Sequence, residues 1–168
     1  MPKRSFEPVC DEHTRLLILG SLPGDKALAL RQYYGNPQNH FWRLMERVLQ
    51  EPLVPLAYED RLHVLLGRGV GLWDVIGAAE REGSLDAAIR NVSGNDLLAL
   101  TSRLPRLQAV AFNGSTSARL GRPRLEGETR LTLVQLPSSS PARAMRFDDK
   151  AAAWTVLRRF IEFEGGSA

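Results

Sequence analysis

The sequence predicts an α/β domain: a short, mostly parallel sheet of four strands with helices on both faces. Two observations carry this. The runs at 16–19 (LLIL), 70–76 (VGLWDVI), 109–112 (AVAF) and 131–136 (LTLVQL) are nearly continuous in apolar residues, as strands covered on both faces must be. Segments of helical spacing lie between them, and strands alternating with helices assemble into a parallel sheet.

The first strand, 16–19, ends at Gly20. About sixteen residues then pass before a helix is expected, in the stretch GSLPGDKALALRQYYGNPQNHFW at 20–42. A loop that long in a compact domain points to function. Asn36 reads as the cap of the next helix and Pro37 as its first residue. Phe41, Leu44, Met45, Val48 and Leu49 follow at spacings of three and four, giving that helix one packing face. Further helices are read at 58–66, 95–103, 115–120 and 148–163. The last has two acids in its first turn and two arginines near its end, matching the helix dipole. Residues 1–12 and 165–168 are expected to fray. No internal repeat or low-complexity linker interrupts the chain, and its 168 residues suit a single domain over 1–168.

Apolar content of 43% and charged content of 24% are ordinary for a globular protein. The single cysteine, Cys10, excludes an intramolecular disulfide framework and any site built from several thiolates. It fits a reducing, cytoplasmic setting. The start MPKRSFEPV lacks the apolar core of a signal peptide, and no apolar stretch is long enough to cross a bilayer. The formal charge of +3, carried mostly by arginine, permits phosphate contacts but is equally an ordinary solubility charge.

Parallel sheets bind ligands beyond the carboxyl ends of their strands, so the four following loops are the place to look. After the first comes GSLPG, where Gly20 and Gly24 allow close backbone approach and Pro23 stiffens the turn; alone, such a segment is more often a turn than a site. It is no phosphate-cradling loop, because the Gly-Lys-Ser/Thr ending is missing. After the second strand comes Asp74, set among Leu72, Trp73, Val75 and Ile76; a capping or ion-paired role weighs evenly against ligand binding. After the third, Asn113 either tolerates an unusual backbone angle, with Ser115 capping the next helix, or aims its amide into a pocket. After the fourth, LPSSSPAR offers Ser138, Ser139 and Ser140 between two prolines. That is a rigid turn suited to a phosphate oxygen, or simply a turn leading into a helix.

Taken in order, LILGSLPG, QYYGNPQNHFW, LWDVIGAAEREGSLDAAIRNVSGNDL, VAFNG and LPSSSPA resemble the uracil-DNA glycosylase superfamily, and within it the hypoxanthine-DNA (deoxyinosine) glycosylase branch. The resemblance covers nearly the whole chain. It implies a three-layer α/β/α sandwich and an enzyme that flips a damaged nucleotide out of double-stranded DNA and hydrolyses the base–sugar bond, leaving an abasic site. It implies that Asn39 holds the attacking water and that Tyr34 stacks on the flipped base. Asn113 would read the base's hydrogen-bonding edge, with the backbone of Gly20, Ser21, Pro23 and Gly24 walling the base pocket. The serines at 138–140 would grip phosphate, and Arg143 and Met145 would wedge into the gap left by the base.

Two departures stand out. Leu22 occupies the position where other branches carry an Asp or Asn that activates water, which moves that role to Asn39. Asn36 precedes Pro37 where the family usually has His. An amide does not titrate near neutrality, so any true general base is expected to be Asp74, provided burial raises its pKa. No lysine falls in these motifs to form a Schiff base, so hydrolysis without strand cleavage is expected. The enzyme is expected to act as a monomer, without cofactor or metal, preferring deoxyinosine with uracil second. The competing expectations are a uracil- or mismatch-directed DNA glycosylase of the same superfamily and a nucleic-acid-binding domain of this fold without activity. A small-molecule hydrolase is disfavoured: no Gly-x-Ser-x-Gly elbow occurs, and His13, His40 and His63 lie far from the serines in sequence.

Overall fold

The computed structural model describes residues 2–161. In chain order the elements are β1 (Lys3–Arg4), β2 (Leu16–Gly20), α1 (Asp25–Leu30), α2 (Phe41–Leu49), α3 (Tyr58–Gly67), β3 (Val70–Asp74), β4 (Ile76–Glu80), β5 (Arg90–Gly94), α4 (Leu97–Ser102), β6 (Ala109–Asn113), α5 (Ser115–Leu125), β7 (Thr132–Leu136) and α6 (Phe147–Trp154). Short 3₁₀ turns cover Asp86–Ala88 and Thr155–Phe160. Four strands form a central sheet in the order β3-β2-β6-β7, every pair parallel. Every residue of β2 is buried, because strands flank it on both edges and helices cover it on both faces.

Alternation along β2 divides the core. Leu16 and Ile18 pack with Phe41, Leu44, Met45, Val48 and Leu49 of α2 and with Trp154 of α6. Leu17 and Leu19 point the other way, onto Leu97 and Leu100 of α4 and Ala118 and Leu125 of α5. The result is the three-layer α/β/α sandwich. β7 closes one edge, with Thr132 and Gln135 exposed. No helix among the described residues is long and apolar enough to cross a membrane.

Several local expectations need correction. The 70–76 run is not one strand: β3 ends at Asp74, and Ile76 opens β4, which joins β1 and β5 in a separate antiparallel sheet of order β1-β4-β5. The break is invisible in composition because Val75 and Ile76 stay fully buried at the junction. The beginning of the chain is not frayed, since β1 pairs with β4 and Val9 bridges to Leu72. The long loop contains a helix, α1. Asn36 does not cap α2. Its Oδ1 accepts from the Gln38 N–H at 3.0 Å and its carbonyl from the Asn39 N–H at 2.9 Å, making a turn, and the cap residue is His40. Asn39 therefore stands before the helix rather than in its first turn. Ser115 is the first residue of α5, and its cap is Gly114 at φ 100°, a left-handed angle that glycine adopts without strain. The helix read at 148–163 is α6 followed by the 3₁₀ segment, and its last two residues lie outside the described residues, as do 165–168.

Candidate active site

The loops leaving the carboxyl ends of β2, β3, β6 and β7 meet around a cavity of about 390 Å³, a size ordinary for a small-ligand site. It lies where chain order reverses across the sheet, beside β2 and β6. Gly20, Ser21, Pro23, Gly24, Tyr34, Asn39, Asp74, Asn113, Ser138, Ser139, Ser140 and Arg143 all line it. Met145 does not. It follows Arg143 on the rim loop, where its N–H bonds the Arg143 carbonyl at 2.8 Å.

Asp74 is the register partner of Gly20 across the β2–β3 pair. It is 3% exposed, and its Oδ2 is fully enclosed without a hydrogen-bond partner in the protein. Burial first, then the nearby Asp86 carboxylate, raises its pKa to about 7, against a smaller lowering by Arg81. Asn95, just before α4, donates from Nδ2 to the Asp74 carbonyl at 2.8 Å and fixes the strand end. The result is a carboxyl group poised to exchange a proton near neutrality.

Tyr34 sits at φ 56°, a conformation a bulky residue adopts only where its surroundings compel it. Its ring stacks on Phe41 with centroids 3.9 Å apart. Its hydroxyl accepts from Asn113 Nδ2 at 3.2 Å, so the phenolic hydrogen remains available to an acceptor in the cavity. Burial raises its pKa, keeping the phenol protonated. Tyr33, by contrast, is buried and structural, donating to the Glu7 carbonyl at 2.7 Å.

Asn113 is 8% exposed. Its Nδ2 donates to Tyr34 Oη and, at 2.9 Å, to Ser139 Oγ, while its Oδ1 accepts from the Ser139 N–H at 2.9 Å. A backbone N–H can only donate, so the orientation of the amide is fixed. Both of its donors are used within the protein, and what remains is one lone pair of Oδ1, an acceptor.

Asn39 is half-buried, and its Oδ1 accepts from the Phe41 N–H at 2.9 Å, holding the start of α2. The next residue, His40, donates its backbone N–H to the Ser139 carbonyl at 2.9 Å, tying this turn to the serine loop. That loop is stiffened from within: Ser138 Oγ accepts from the Ser140 N–H and Ser140 Oγ from the Ala142 N–H, each at 3.1 Å.

The GSLPG loop has a brace that sequence reasoning missed. Arg81, with its side chain fully enclosed, donates to the Pro23 carbonyl at 2.5 Å, the Leu22 carbonyl at 3.5 Å and the Gly83 carbonyl at 2.8 Å. Ser21 Oγ donates to Asp86 at 2.8 Å, and Ser84 Oγ accepts from the Asp25 N–H at 2.9 Å. Leu22 is buried against Ile76 and Ala79 and packs rather than reacts. Lys150, fully buried behind the serine loop, was also missed. A basic residue in a polar segment carries no mark of burial, so nothing in the sequence singled out either. Among the described residues no group of three or more His, Cys, Asp or Glu side chains could hold a metal ion.

Residues 7–162 match the Uracil DNA glycosylase superfamily. A protein of Methanosarcina acetivorans named hypoxanthine DNA glycosylase is 42% identical over 95% of this chain and 99% of its own length. One of the same name from Methanosarcina barkeri is 40% identical over 92% of this chain and 96% of its own. The solution NMR structure of a Methanosarcina acetivorans protein provisionally named a uracil DNA glycosylase superposes with a TM-score of 0.86 at 40% identity, covering 95% of this chain and 99% of that one. With the sandwich and the loop cluster in place, these matches show that the chain belongs to the uracil DNA glycosylase superfamily.

Proposed function

We propose that this protein is a monofunctional DNA glycosylase that removes hypoxanthine from double-stranded DNA, leaving an abasic site, and that it acts as a monomer. The observation that carries the reading is the enclosed, unbonded Oδ2 of Asp74 in the wall of the cavity shared with Asn39, Tyr34 and Asn113. The names of the two Methanosarcina relatives support hypoxanthine as the base.

Glycosidic cleavage passes through an oxocarbenium-like state in which the base departs ahead of nucleophile bonding. Water then needs placement more than deprotonation, and placement alone supplies several kcal/mol. Asn39 Oδ1 keeps a second lone pair beyond its bond to Phe41, enough to orient a water. Asp74, ionised above about pH 7, takes the proton the water sheds. Asn113, with only an acceptor open, suits the N1–H of hypoxanthine. Stabilising the departing purine falls instead to the Tyr34 hydroxyl. The serine loop and Arg143 meet the phosphates beside the lesion.

A panel of duplexes carrying deoxyinosine, deoxyuridine, deoxyxanthosine or ethenocytosine tests the assignment. Release of hypoxanthine faster than the other bases, with an alkali-labile abasic product and no strand cleavage before alkali, is expected. Tight binding without release of any base would make the chain a binding domain instead.

A further inference from the structure

Lys150 lies in the first turn of α6 and is fully buried behind the serine loop. Its ammonium donates to the Ser140 carbonyl at 3.1 Å and to His40 Nδ1 at 3.3 Å. The second bond fixes the imidazole as neutral, with its hydrogen on Nε2, and burial, Lys150 and Arg43 all keep the His40 pKa low. Among the described residues no carboxylate forms an ion pair with Lys150. Two neutral acceptors satisfy two of its three donors but leave its charge uncompensated, and enclosing an uncompensated ammonium is costly. Burial and the Arg143 guanidinium both push its pKa down. For stability alone, an apolar side chain would serve this position better.

A charge retained at such a cost has a use when something else is bound. Ser138, Ser139, Ser140 and Arg143 line the cavity on the far side of the loop, and each serine hydroxyl accepts a bond from within the protein, which leaves its hydrogen to donate to an anion. Lys150 also closes a ring of contacts. It bonds Ser140 and the His40 side chain, while the His40 backbone bonds Ser139, so the phosphate-facing loop and the Asn39 turn are held in one register.

We propose that Lys150 is a positioning residue whose buried charge is compensated only when a DNA backbone phosphate rests on the 138–140 loop, and whose hydrogen bonds hold that loop against the Asn39 turn. This rests on the reading that the serine loop meets DNA. Neutralising Lys150 therefore weakens DNA binding without any direct contact being lost.

The test measures Kd for a duplex carrying a stable abasic analogue across a salt series, for wild type, Lys150→Met, Lys150→Arg and Arg143→Ala. Lys150→Met should bind about tenfold more weakly at low salt, with log Kd against log salt shallower by up to about one, the most that removing one positive charge from beside the phosphates gives. Lys150→Arg should restore most of that slope. An unchanged slope in Lys150→Met, beside a reduced one in Arg143→Ala, overturns the role of Lys150 alone. An unchanged slope in both removes the serine loop from the DNA interface and the inference with it. Should Lys150→Met fail to fold, wild-type protein answers the question. The chain has three lysines, so ¹³C-lysine NMR isolates the Lys150 signal. His40 and Arg143 are the titrating and charged groups that face it, and both disfavour its charge. Bound duplex should raise its pKa, and no rise overturns the proposal.

Discussion

The carboxylate of Asp74 occupies the space that a side chain at Gly20 would fill: a Cβ built on Gly20 falls 2.5 Å from Asp74 Oδ1 and 3.0 Å from the Tyr34 hydroxyl. The glycine is thus a condition for the site rather than a convenience of the turn. Gly20→Ala should force both groups aside, lower single-turnover excision about 100-fold and cost about 1–3 kcal/mol of stability. Full activity in Gly20→Ala would show that neither group needs its observed position.

Asp74 couples catalysis to stability with opposite signs. As a base it works ionised, so wild-type excision should rise with pH to a plateau, with a midpoint near 7. Its folded pKa lies above the ordinary 3.8, so it favours folding at low pH, and that contribution is lost as pH rises through about 7. The loss is on the order of 4 kcal/mol. Asp74→Asn should accordingly lose at least about 100-fold in rate, lose the pH midpoint, and melt higher than wild type by a margin that grows as pH rises from 3.8 to about 7 and levels off above that. A variant that keeps the wild-type pH profile removes Asp74 from the chemistry.

Arg81 acts on the same titration from a distance. Its charge lowers the Asp74 pKa, and its guanidinium holds the Leu22 and Pro23 carbonyls. Arg81→Met should move the midpoint of the pH–rate profile upward and raise the KM for substrate duplex. Leaving the carbonyls unpaired should also cost about 1–3 kcal/mol in thermal melts. An unmoved midpoint shows that the brace is mechanical only.

Asn113 joins the end of β6 to Tyr34 and Ser139, so Asn113→Ala should do two things. Stability falls by about 1–3 kcal/mol because the Ser139 N–H is left without its acceptor. Discrimination between hypoxanthine, which offers N1–H to this acceptor, and adenine, which has no hydrogen there, narrows, read as the ratio of their kcat/KM values. If stability drops and the ratio holds, the amide is only a tie.

How much of this was legible in the sequence differs by kind of residue. Strands such as Leu16–Gly20 and the packing face of α2 were readable because burial on both faces or on one helical stripe imposes a visible apolar pattern. The rim loops were readable because unusual residues follow each strand at the edge where parallel sheets bind ligands. Val75 was not readable as a boundary, since a residue passing between two sheets stays as buried as one inside a strand. Asn36 was misread because the local chemistry of a turn and of a helix cap is the same: a side-chain oxygen accepting a nearby backbone N–H. Arg81, Asn95 and Lys150 act through contacts spanning many residues of chain, and no local pattern encodes those.

Asn39 is where the account stands most exposed, because its carboxamide has both a structural and a chemical task. The direct measurement is single-turnover release of hypoxanthine from a deoxyinosine duplex by wild type and Asn39→Ala, with duplex affinity measured alongside. Loss of the bond from the Phe41 N–H should cost about 1 kcal/mol of stability and leave affinity within a few-fold. Release should fall about 100-fold or more, the price of a misplaced water. Undiminished release by Asn39→Ala would contradict the central claim that this amide positions the nucleophile.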